Sequence, residues 1–371
     1  MKKVYIAGHK GLVGSAIERV FTNKGYKDII KKTHSELDLR ERDKVFEFFK
    51  KEKPEWVILS AAKVGGIYAN DTYPVDFLLC NLQIQNNIIE ASFENGVEKL
   101  LFLGSSFIYP KECPQPIKEE YLLSGYLEST NRAYALAKIS GIELCAAYNK
   151  QYKTNYIAVM PCNLYGINDN YHKENAHVIP MLIRRFHEAK INKDKETIIW
   201  GSGTPLREFM NSDDLAEACL YLMENKDAKE IGKFINIGSG KEITIKDLAE
   251  LIKKIVGFEG NIILDSSKPD GTMRKLLDVS KINNNVQVSN TSTNNNIQNN
   301  SNTTNDFVNN NVNNNYVATS GNVNRTYVDN NKPKKKTVSI KIGPEFKIAF
   351  LIVVILLVFI FLLPMISDLL R

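Results

Sequence analysis

The sequence predicts an α/β fold of the Rossmann type: a doubly wound parallel sheet with a smaller C-terminal substrate lobe. Short apolar runs alternate with helical patterns, the first run leads directly into a glycine-rich turn, and several runs end in small residues. Apolar runs of this kind are typical of strands that helices cover on both faces. Alternating strands and helices favour a parallel sheet, whose ligands bind beyond the carboxyl ends of the strands.

Periodicity predicts the individual elements in chain order. Strands are predicted at residues 4–7, 29–30, 56–59, 100–103 and 157–160. Helices are predicted at residues 15–23, 75–95, 215–224 and 245–256. Gly, Pro and Asn recur through 161–205, which indicates loops and a short helix. Residues 161–205 and 240–282 are therefore the expected substrate lobe within a catalytic domain of residues 1–282.

The composition changes abruptly after that domain. The whole chain has 371 residues, of which 43% are hydrophobic and 24% charged, which excludes a wholly disordered, collagen-like or disulfide-stapled protein. Asn supplies 21 of the 49 residues from 283 to 331. Such a tract lacks the apolar content to offset chain entropy, so 283–331 are expected to be a disordered linker.

Charge and cysteine content exclude several classes of function. The formal net charge is +6, but residues 332–371 contribute +5 and residues 1–282 only +2. No nucleic-acid partner is therefore predicted. The five cysteines include no Cys-x-x-Cys pair, so neither a disulfide framework nor a metal site is predicted, and a reducing compartment is indicated.

The C-terminal tail predicts a membrane anchor. Residues 348–366 are 19 residues without a charge, close to the roughly 20 that span a bilayer as a helix. The basic segment 332–347 precedes this run, and only Arg371 follows it closely. The positive-inside rule then predicts a single-pass membrane protein with its catalytic domain on the cytoplasmic side. A buried core helix is the alternative, which a position beyond a disordered linker disfavours.

The glycine turn predicts a dinucleotide site. Gly8, Gly11 and Gly14 follow the first strand and open the first helix. Such glycines allow a tight turn, a close approach of the pyrophosphate and packing of the helix on the strand. Three glycines can also form an ordinary tight turn, but their position between strand and helix favours the dinucleotide.

The end of the second strand indicates which dinucleotide binds. NAD sites usually place an acid there, whereas this chain has Lys31 and Lys32 and no acid before Glu36. With Lys10, these residues supply positive charge for a 2′-phosphate, which favours NADP(H). A solvated basic loop is the alternative.

A tyrosine and a lysine four residues apart form the second motif. Tyr134 and Lys138 share one face of a helix. A nearby ammonium favours the phenolate, so Lys138 is expected to lower the pKa of Tyr134 for proton exchange with a substrate oxygen. Ser105, at the end of a predicted strand, is a candidate hydrogen-bond donor to the same oxygen. The alternatives are a surface packing pair and a helix-capping serine.

Longer strings identify a resemblance. They are Ala61-Ala62-Lys63-Val64-Gly65-Gly66-Ile67, Thr72-Tyr73-Pro74, Leu103-Gly104-Ser105-Ser106, Asn163-Leu164-Tyr165-Gly166, His177-Val178-Ile179-Pro180, Trp200-Gly201-Ser202-Gly203-Thr204-Pro205 and Lys268-Pro269-Asp270-Gly271-Thr272. Together with the glycine turn and the Tyr-Lys pair, they resemble the GDP-L-fucose synthase family of the extended short-chain dehydrogenase/reductases. The resemblance covers residues 3–281.

The resemblance implies NADPH-dependent 3,5-epimerisation and 4-reduction of GDP-4-keto-6-deoxy-D-mannose to GDP-L-fucose. Tyr134, Lys138 and Ser105 would serve the reduction, and His177 would be the acid of the epimerisations. The implied cofactor contacts are Gly8, Lys10, Gly11, Leu12, Val13, Gly14, Lys32, His34, Asp38, Ala61, Ala62, Leu103, Ser106, Tyr134, Lys138, Pro161, Asn163, Leu164 and His177. The implied contacts to the GDP-sugar are Arg185, Trp200, Arg207 and Asp270. A second copy of the chain is a further candidate partner.

Two departures from the family keep alternatives open. The family has a cysteine, the base of its epimerisations, where this chain has Phe107, and the family continues after Lys281 into a terminal segment where this chain has the Asn-rich tract. A 4-reductase without epimerase activity is therefore one alternative. The others are a 4-epimerase or dehydratase of the same superfamily and a non-catalytic, membrane-tethered nucleotide-sugar binding module.

Overall fold

A six-stranded parallel sheet forms the centre of the computed structural model, which describes residues 1–173, 176–268 and 270–284. The strands are β1 (Val4–Ala7), β2 (Ile29–Ile30), β3 (Trp56–Leu59), β4 (Lys99–Leu103), β5 (Tyr156–Pro161), β6 (Asn163–Tyr165), β7 (Glu196–Trp200), β8 (Leu206–Asn211), β9 (Ile235–Ile237), β10 (Glu242–Thr244), β11 (Asn261–Asp265) and β12 (Arg274–Lys275). The helices are α1 (Leu12–Asn23), α2 (Arg42–Glu52), α3 (Ile67–Thr72), α4 (Pro74–Glu94), α5 (Arg132–Tyr152), α6 (Val178–Asn192), α7 (Ser212–Asn225), α8 (Ala228–Ile231) and α9 (Ile245–Val256).

The strand order β2-β1-β3-β4-β5-β9 confirms the predicted Rossmann-type sheet. Strands β1, β3, β4 and β5 are buried along their whole length, because an apolar core covers each face of the sheet. One core includes Ile17 of α1 and Leu215 of α7. The other includes Phe49 of α2, Ile88 of α4 and Ile142 of α5.

The predicted elements are largely confirmed, with different ends. The strands at 4–7, 29–30 and 56–59 and the helix at 245–256 have the predicted bounds. Helix α1 begins three residues before the prediction, because the helix starts within the glycine turn at Leu12. Helix α2 was not predicted, since its polar residues outnumber the three that it buries, Val45, Phe48 and Phe49.

The prediction of loops and one short helix for 161–205 was wrong. This stretch contains β6, β7 and the 15-residue helix α6. Strands β6, β8, β10 and β12 form a second sheet, and β7 pairs in parallel with β11. Helices α6 and α9 pack together in a third apolar core that includes Leu182, Phe186 and Ile252. Gly166 and Gly201 directly follow β6 and β7, and Pro180 lies in the first turn of α6, where a proline is tolerated.

The predicted tail segments lie outside the described residues. This holds for the linker beyond residue 284, the basic segment 332–347 and the anchor 348–366. Among the residues that the structure describes, no helix has the length and apolar character needed to span a bilayer.

A buried carboxylate joins the second sheet to the chain segment that follows β12. Glu208 of β8 is fully buried and accepts hydrogen bonds from the backbone N–H groups of Gly240, at 2.7 Å, and Leu277, at 3.0 Å. Leu277 is buried in the core under the main sheet. Glu208 therefore fixes the path that brings β12 alongside β8.

We expect Glu208→Ala to lower the free energy of unfolding by about 1–3 kcal/mol, because it leaves the buried Leu277 N–H without an acceptor. Glu208→Gln keeps one acceptor oxygen and should lose less. Denaturant titration measures both variants against Glu90→Ala, which removes an exposed ion pair with Arg42 and should lose less than about 1 kcal/mol. Equal losses for Glu208→Ala and Glu90→Ala would contradict the structural role of Glu208.

Candidate active site

A cavity of about 810 Å³ lies at the carboxyl ends of β1, β3, β4 and β5. Among the residues that line it are the predicted contacts Gly8, Gly11, Leu12, Val13, Gly14, Lys32, His34, Asp38, Ala61, Ala62, Leu103, Ser105, Ser106, Tyr134, Lys138, Pro161, Asn163, Leu164 and His177. The structure thus brings the glycine turn and the Tyr-Lys pair to one cavity, although at least 120 positions separate them. Lys10 is exposed and is not among the lining residues.

The glycine turn leaves room for a pyrophosphate at the start of α1. Gly8 has a φ of +89°, and a Cβ there would stand 2.7 Å from the Ala61 nitrogen. A Cβ on Gly14 would collide with the Gly8 carbonyl, so α1 lies directly on the turn. Gly11 precedes α1, and a Cβ on it would have only the Gly8 oxygen within 4 Å. The amide end of α1 is therefore open to an anion, as a dinucleotide requires.

A cluster of basic residues lines the cavity beyond β2. Lys32 and His34 stand there as predicted, and Arg40, which the sequence analysis missed, joins them. Arg40 binds both carboxylate oxygens of Asp38, with Nη2 2.6 Å from Oδ2 and Nε 3.0 Å from Oδ1. These hydrogen bonds lower the pKa of Asp38 to about 2, so the carboxylate stays ionised and its charge is balanced by Arg40. The excess positive charge suits a 2′-phosphate.

Helix α5 holds the catalytic pair against the end of β4. The Lys138 amine donates a hydrogen bond of 2.7 Å to the Leu103 carbonyl, and Tyr134 lines the cavity together with Ser105, which follows β4. Burial raises the pKa of Tyr134 to about 12, and the nearby Ser105 hydroxyl lowers it by less. Burial also lowers the pKa of Lys138 to about 7. The prediction that Lys138 lowers the pKa of Tyr134 was therefore wrong, because desolvation dominates both groups.

A protonated tyrosine suits the reduction of a carbonyl group. A phenol with a raised pKa keeps its proton at neutral pH and can donate it to an oxygen that is gaining electrons. Ser105 also accepts a hydrogen bond from the Phe107 N–H at 3.3 Å, which orients the turn beside Tyr134. The arrangement can therefore protonate a carbonyl oxygen during its reduction.

His177 and Phe107 line the same cavity. His177 immediately precedes α6, and burial lowers its pKa, so the imidazole is neutral near pH 7. The Phe107 ring lies 6.2 Å from the Tyr134 ring, centroid to centroid, in an edge-on contact. The side chain at the position of the family cysteine thus lies beside the catalytic phenol.

The four predicted GDP-sugar contacts do not line this cavity. Arg185 of α6 donates to the Ile198 carbonyl at 2.5 Å, and Arg207 of β8 donates to the Leu206 carbonyl at 2.8 Å. Trp200, at the end of β7, is 61% exposed, and Asp270 accepts a hydrogen bond of 2.7 Å from the Ser202 N–H. Their role in binding stays a prediction.

The sequence analysis missed a second cation beside Arg207. Lys275 of β12 is the register partner of Arg207 in β8. Its amine lies 4.3 Å from the centroid of the Phe107 ring. No local motif signals this placement, since it depends on the pairing of two strands 68 positions apart.

Fold and site together define an α/β enzyme of the short-chain dehydrogenase/reductase type that uses a nicotinamide dinucleotide. The profile of the NAD dependent epimerase/dehydratase family matches residues 4–238. GDP-L-fucose synthase 1 of Arabidopsis thaliana is 57% identical over 280 residues, which are 76% of this chain and 86% of the relative. GDP-L-fucose synthase of Escherichia coli K12 is 50% identical over 287 residues, covering 76% and 89%. A GDP-mannoheptose C4 reductase of Campylobacter jejuni, solved with NADP bound, is 42% identical with a TM-score of 0.71, covering 76% and 91%.

The chain belongs to the NAD dependent epimerase/dehydratase family and, within it, to the GDP-L-fucose synthases. This confirms the resemblance drawn from the motifs.

We expect Arg40→Leu to raise the Kd for NADPH by about tenfold, the cost of about 1.4 kcal/mol of lost binding. The substitution removes one cation and leaves the Asp38 carboxylate unbalanced near the 2′-phosphate. The Kd for NADH should change much less. Fluorescence titration with both nucleotides measures the difference, and Arg42→Leu, which removes an arginine paired with Glu90 outside the lining, is the matched control. An equal loss for NADPH and NADH would count against a phosphate role.

Proposed function

We propose that the protein is an NADPH-dependent enzyme that epimerises C3 and C5 and reduces C4 of GDP-4-keto-6-deoxy-D-mannose, which yields GDP-L-fucose. The observation that carries the proposal is the placement of Tyr134, Ser105 and the buried Lys138 in the same cavity as the glycine turn. Relatives that are 50–57% identical bear the name of this activity. A binding module would not require a protonated phenol held against Ser105, so the non-catalytic alternative is not favoured.

The residues of this chain have distinct tasks in the reduction. When bound, NADPH supplies the hydride that reduces C4. Tyr134 donates its proton to the C4 oxygen, and Ser105 hydrogen-bonds the same oxygen. Lys138 keeps α5 on the end of β4 through the Leu103 carbonyl, which fixes the phenol relative to the cavity.

A second candidate function is 4-reduction without epimerisation. Phe107 supports it, because a phenyl ring beside Tyr134 can neither accept nor donate a proton. The name of the Campylobacter jejuni relative, a C4 reductase, also describes that chemistry. The relatives with higher identity support the synthase, which we take as the main proposal.

Incubation with GDP-4-keto-6-deoxy-D-mannose and NADPH in D₂O separates the two functions. We expect a fall in NADPH absorbance and a GDP-L-fucose product with deuterium at C3 and C5. Tyr134→Phe keeps the ring but loses the proton, so kcat should fall by about 10²–10⁴ with little change in the Kd for NADPH. Oxidation of NADPH without deuterium at C3 and C5 would identify the reductase, and a folded protein that binds but never oxidises NADPH would overturn both functions.

We also propose that residues 348–366 anchor the protein in a membrane, with the catalytic domain on the cytoplasmic side. The support is the apolar run and the Lys-rich segment before it. If residues 283–331 are the flexible linker that their composition predicts, its r.m.s. length would be roughly 40 Å, enough to leave the catalytic domain free near the bilayer. The homodimer stays a prediction.

Deletion of residues 332–371 should move the protein from the membrane to the soluble fraction without loss of NADPH oxidation, because the cavity lies within residues 1–284. Fractionation of cell lysates measures the partitioning. Substitution of Lys332, Lys334, Lys335 and Lys336 by Gln is the control, and it should change orientation more than membrane content. Unchanged partitioning of the truncated protein would refute the anchor.

A further inference from the structure

Lys275 places an amine against the residue that stands at the position of the family base. Strand β12 runs parallel to β8, and this pairing sets Lys275 beside Arg207. The Lys275 Nζ lies 4.3 Å from the centroid of the Phe107 ring. Phe107 in turn donates its backbone N–H to Ser105, which lines the cavity together with Phe107 and Tyr134. The Lys275 amine therefore lies against a side chain of the cavity wall, and that side chain contacts the Tyr134 ring.

The Lys275 amine makes no hydrogen bond or ion pair with another residue that the structure describes. Three groups in its surroundings are titratable or charged. Arg207 is a cation, the Cys113 thiol has a pKa raised by burial and is neutral, and Glu128 forms an ion pair with Lys111 at 3.1 Å.

Two adjacent cations without a bound carboxylate repel each other, so keeping both charges costs free energy. Arginine does not lose its proton in proteins, so the lysine is the group that becomes neutral. Burial first, and then the charge of Arg207, lower the pKa of Lys275 to about 7. A neutral amine has a lone pair that can accept a proton.

We propose that Lys275 is the base that removes the protons at C3 and C5 of the 4-keto sugar, the task that Phe107 cannot perform. This inference rests on the proposed function. The Nζ lone pair takes the proton, and the electrons of the broken C–H bond form an enolate whose charge lies on the C4 oxygen. Tyr134 and Ser105 hydrogen-bond that oxygen. His177 takes a proton from solvent and, as the imidazolium, donates it to the opposite face of the carbon, while the Lys275 ammonium releases its proton to solvent.

A lysine beside Arg207 could alternatively bind the diphosphate of the GDP-sugar. The two roles differ in what they require: a base needs a lone pair, whereas a phosphate contact needs only a positive charge. Lys275→Met removes both, and Lys275→Arg keeps the charge but cannot act as a base.

The test uses the full chain and two substrates. In D₂O without NADPH, deuterium incorporation at C3 and C5 of GDP-4-keto-6-deoxy-D-mannose reports proton removal alone. With GDP-4-keto-6-deoxy-L-galactose, the epimerised ketone, NADPH oxidation reports reduction alone.

We expect Lys275→Met and Lys275→Arg to lower incorporation at least 100-fold. Both should reduce the epimerised ketone with a kcat within about threefold of the unsubstituted protein. The rate of incorporation in the unsubstituted protein should rise with pH through about 7, as the amine loses its proton.

A rescue variant and a control complete the design. Phe107→Cys in the Lys275→Met background restores a base at the family position and should recover incorporation. Arg274→Met, which removes the neighbouring exposed arginine, should leave incorporation unchanged.

Normal incorporation in Lys275→Met would overturn the inference. So would a rise in the KM of both reactions that Lys275→Arg repairs, since this indicates a diphosphate contact. If the unsubstituted protein reduces the epimerised ketone but incorporates no deuterium, the inference alone is overturned. If the unsubstituted protein oxidises NADPH with neither ketone, the proposed function is overturned.

Discussion

The hydrogen bond from the Lys138 amine to the Leu103 carbonyl is the interaction on which the site depends. It attaches α5 to the end of β4 at the cavity, and α5 carries Tyr134 one turn earlier. A buried amine needs such a partner, because an unpaired polar group in the interior costs free energy. The same bond leaves Tyr134 within reach of Ser105, which follows β4. Strand, helix and catalytic pair are therefore positioned by one contact.

The second lobe reaches the same site by a different route. Buried Glu208 holds the backbone of Leu277, and this fixes β12 beside β8. The pairing brings the Arg207 and Lys275 side chains together near Phe107. A carboxylate in the protein interior thus helps to determine where these two basic side chains lie, without bonding to either of them.

Much of this arrangement could be predicted from the sequence, because local patterns encode it. The apolar runs define the main sheet, and the spacing of Gly8, Gly11 and Gly14 between strand and helix defines the turn. Elements of the second lobe were harder to predict, since short strands such as β6 have only half-buried residues and little periodicity. Lys275 was beyond prediction because its neighbours come from strand register and its state comes from desolvation.

Desolvation changes the pKa of two amines beside this site in the same direction, but the functional consequence differs. Burial lowers the pKa of Lys138 and of Lys275 to about 7. For Lys138 the change matters little, because its task is to donate a hydrogen bond to Leu103, and a neutral amine still donates. For Lys275 the lower pKa is essential to the proposed role, because only the neutral amine can accept a proton. No acceptor among the described residues forms a hydrogen bond with this amine. The difference between a positioning lysine and a basic one therefore lies in the partner and not in the pKa.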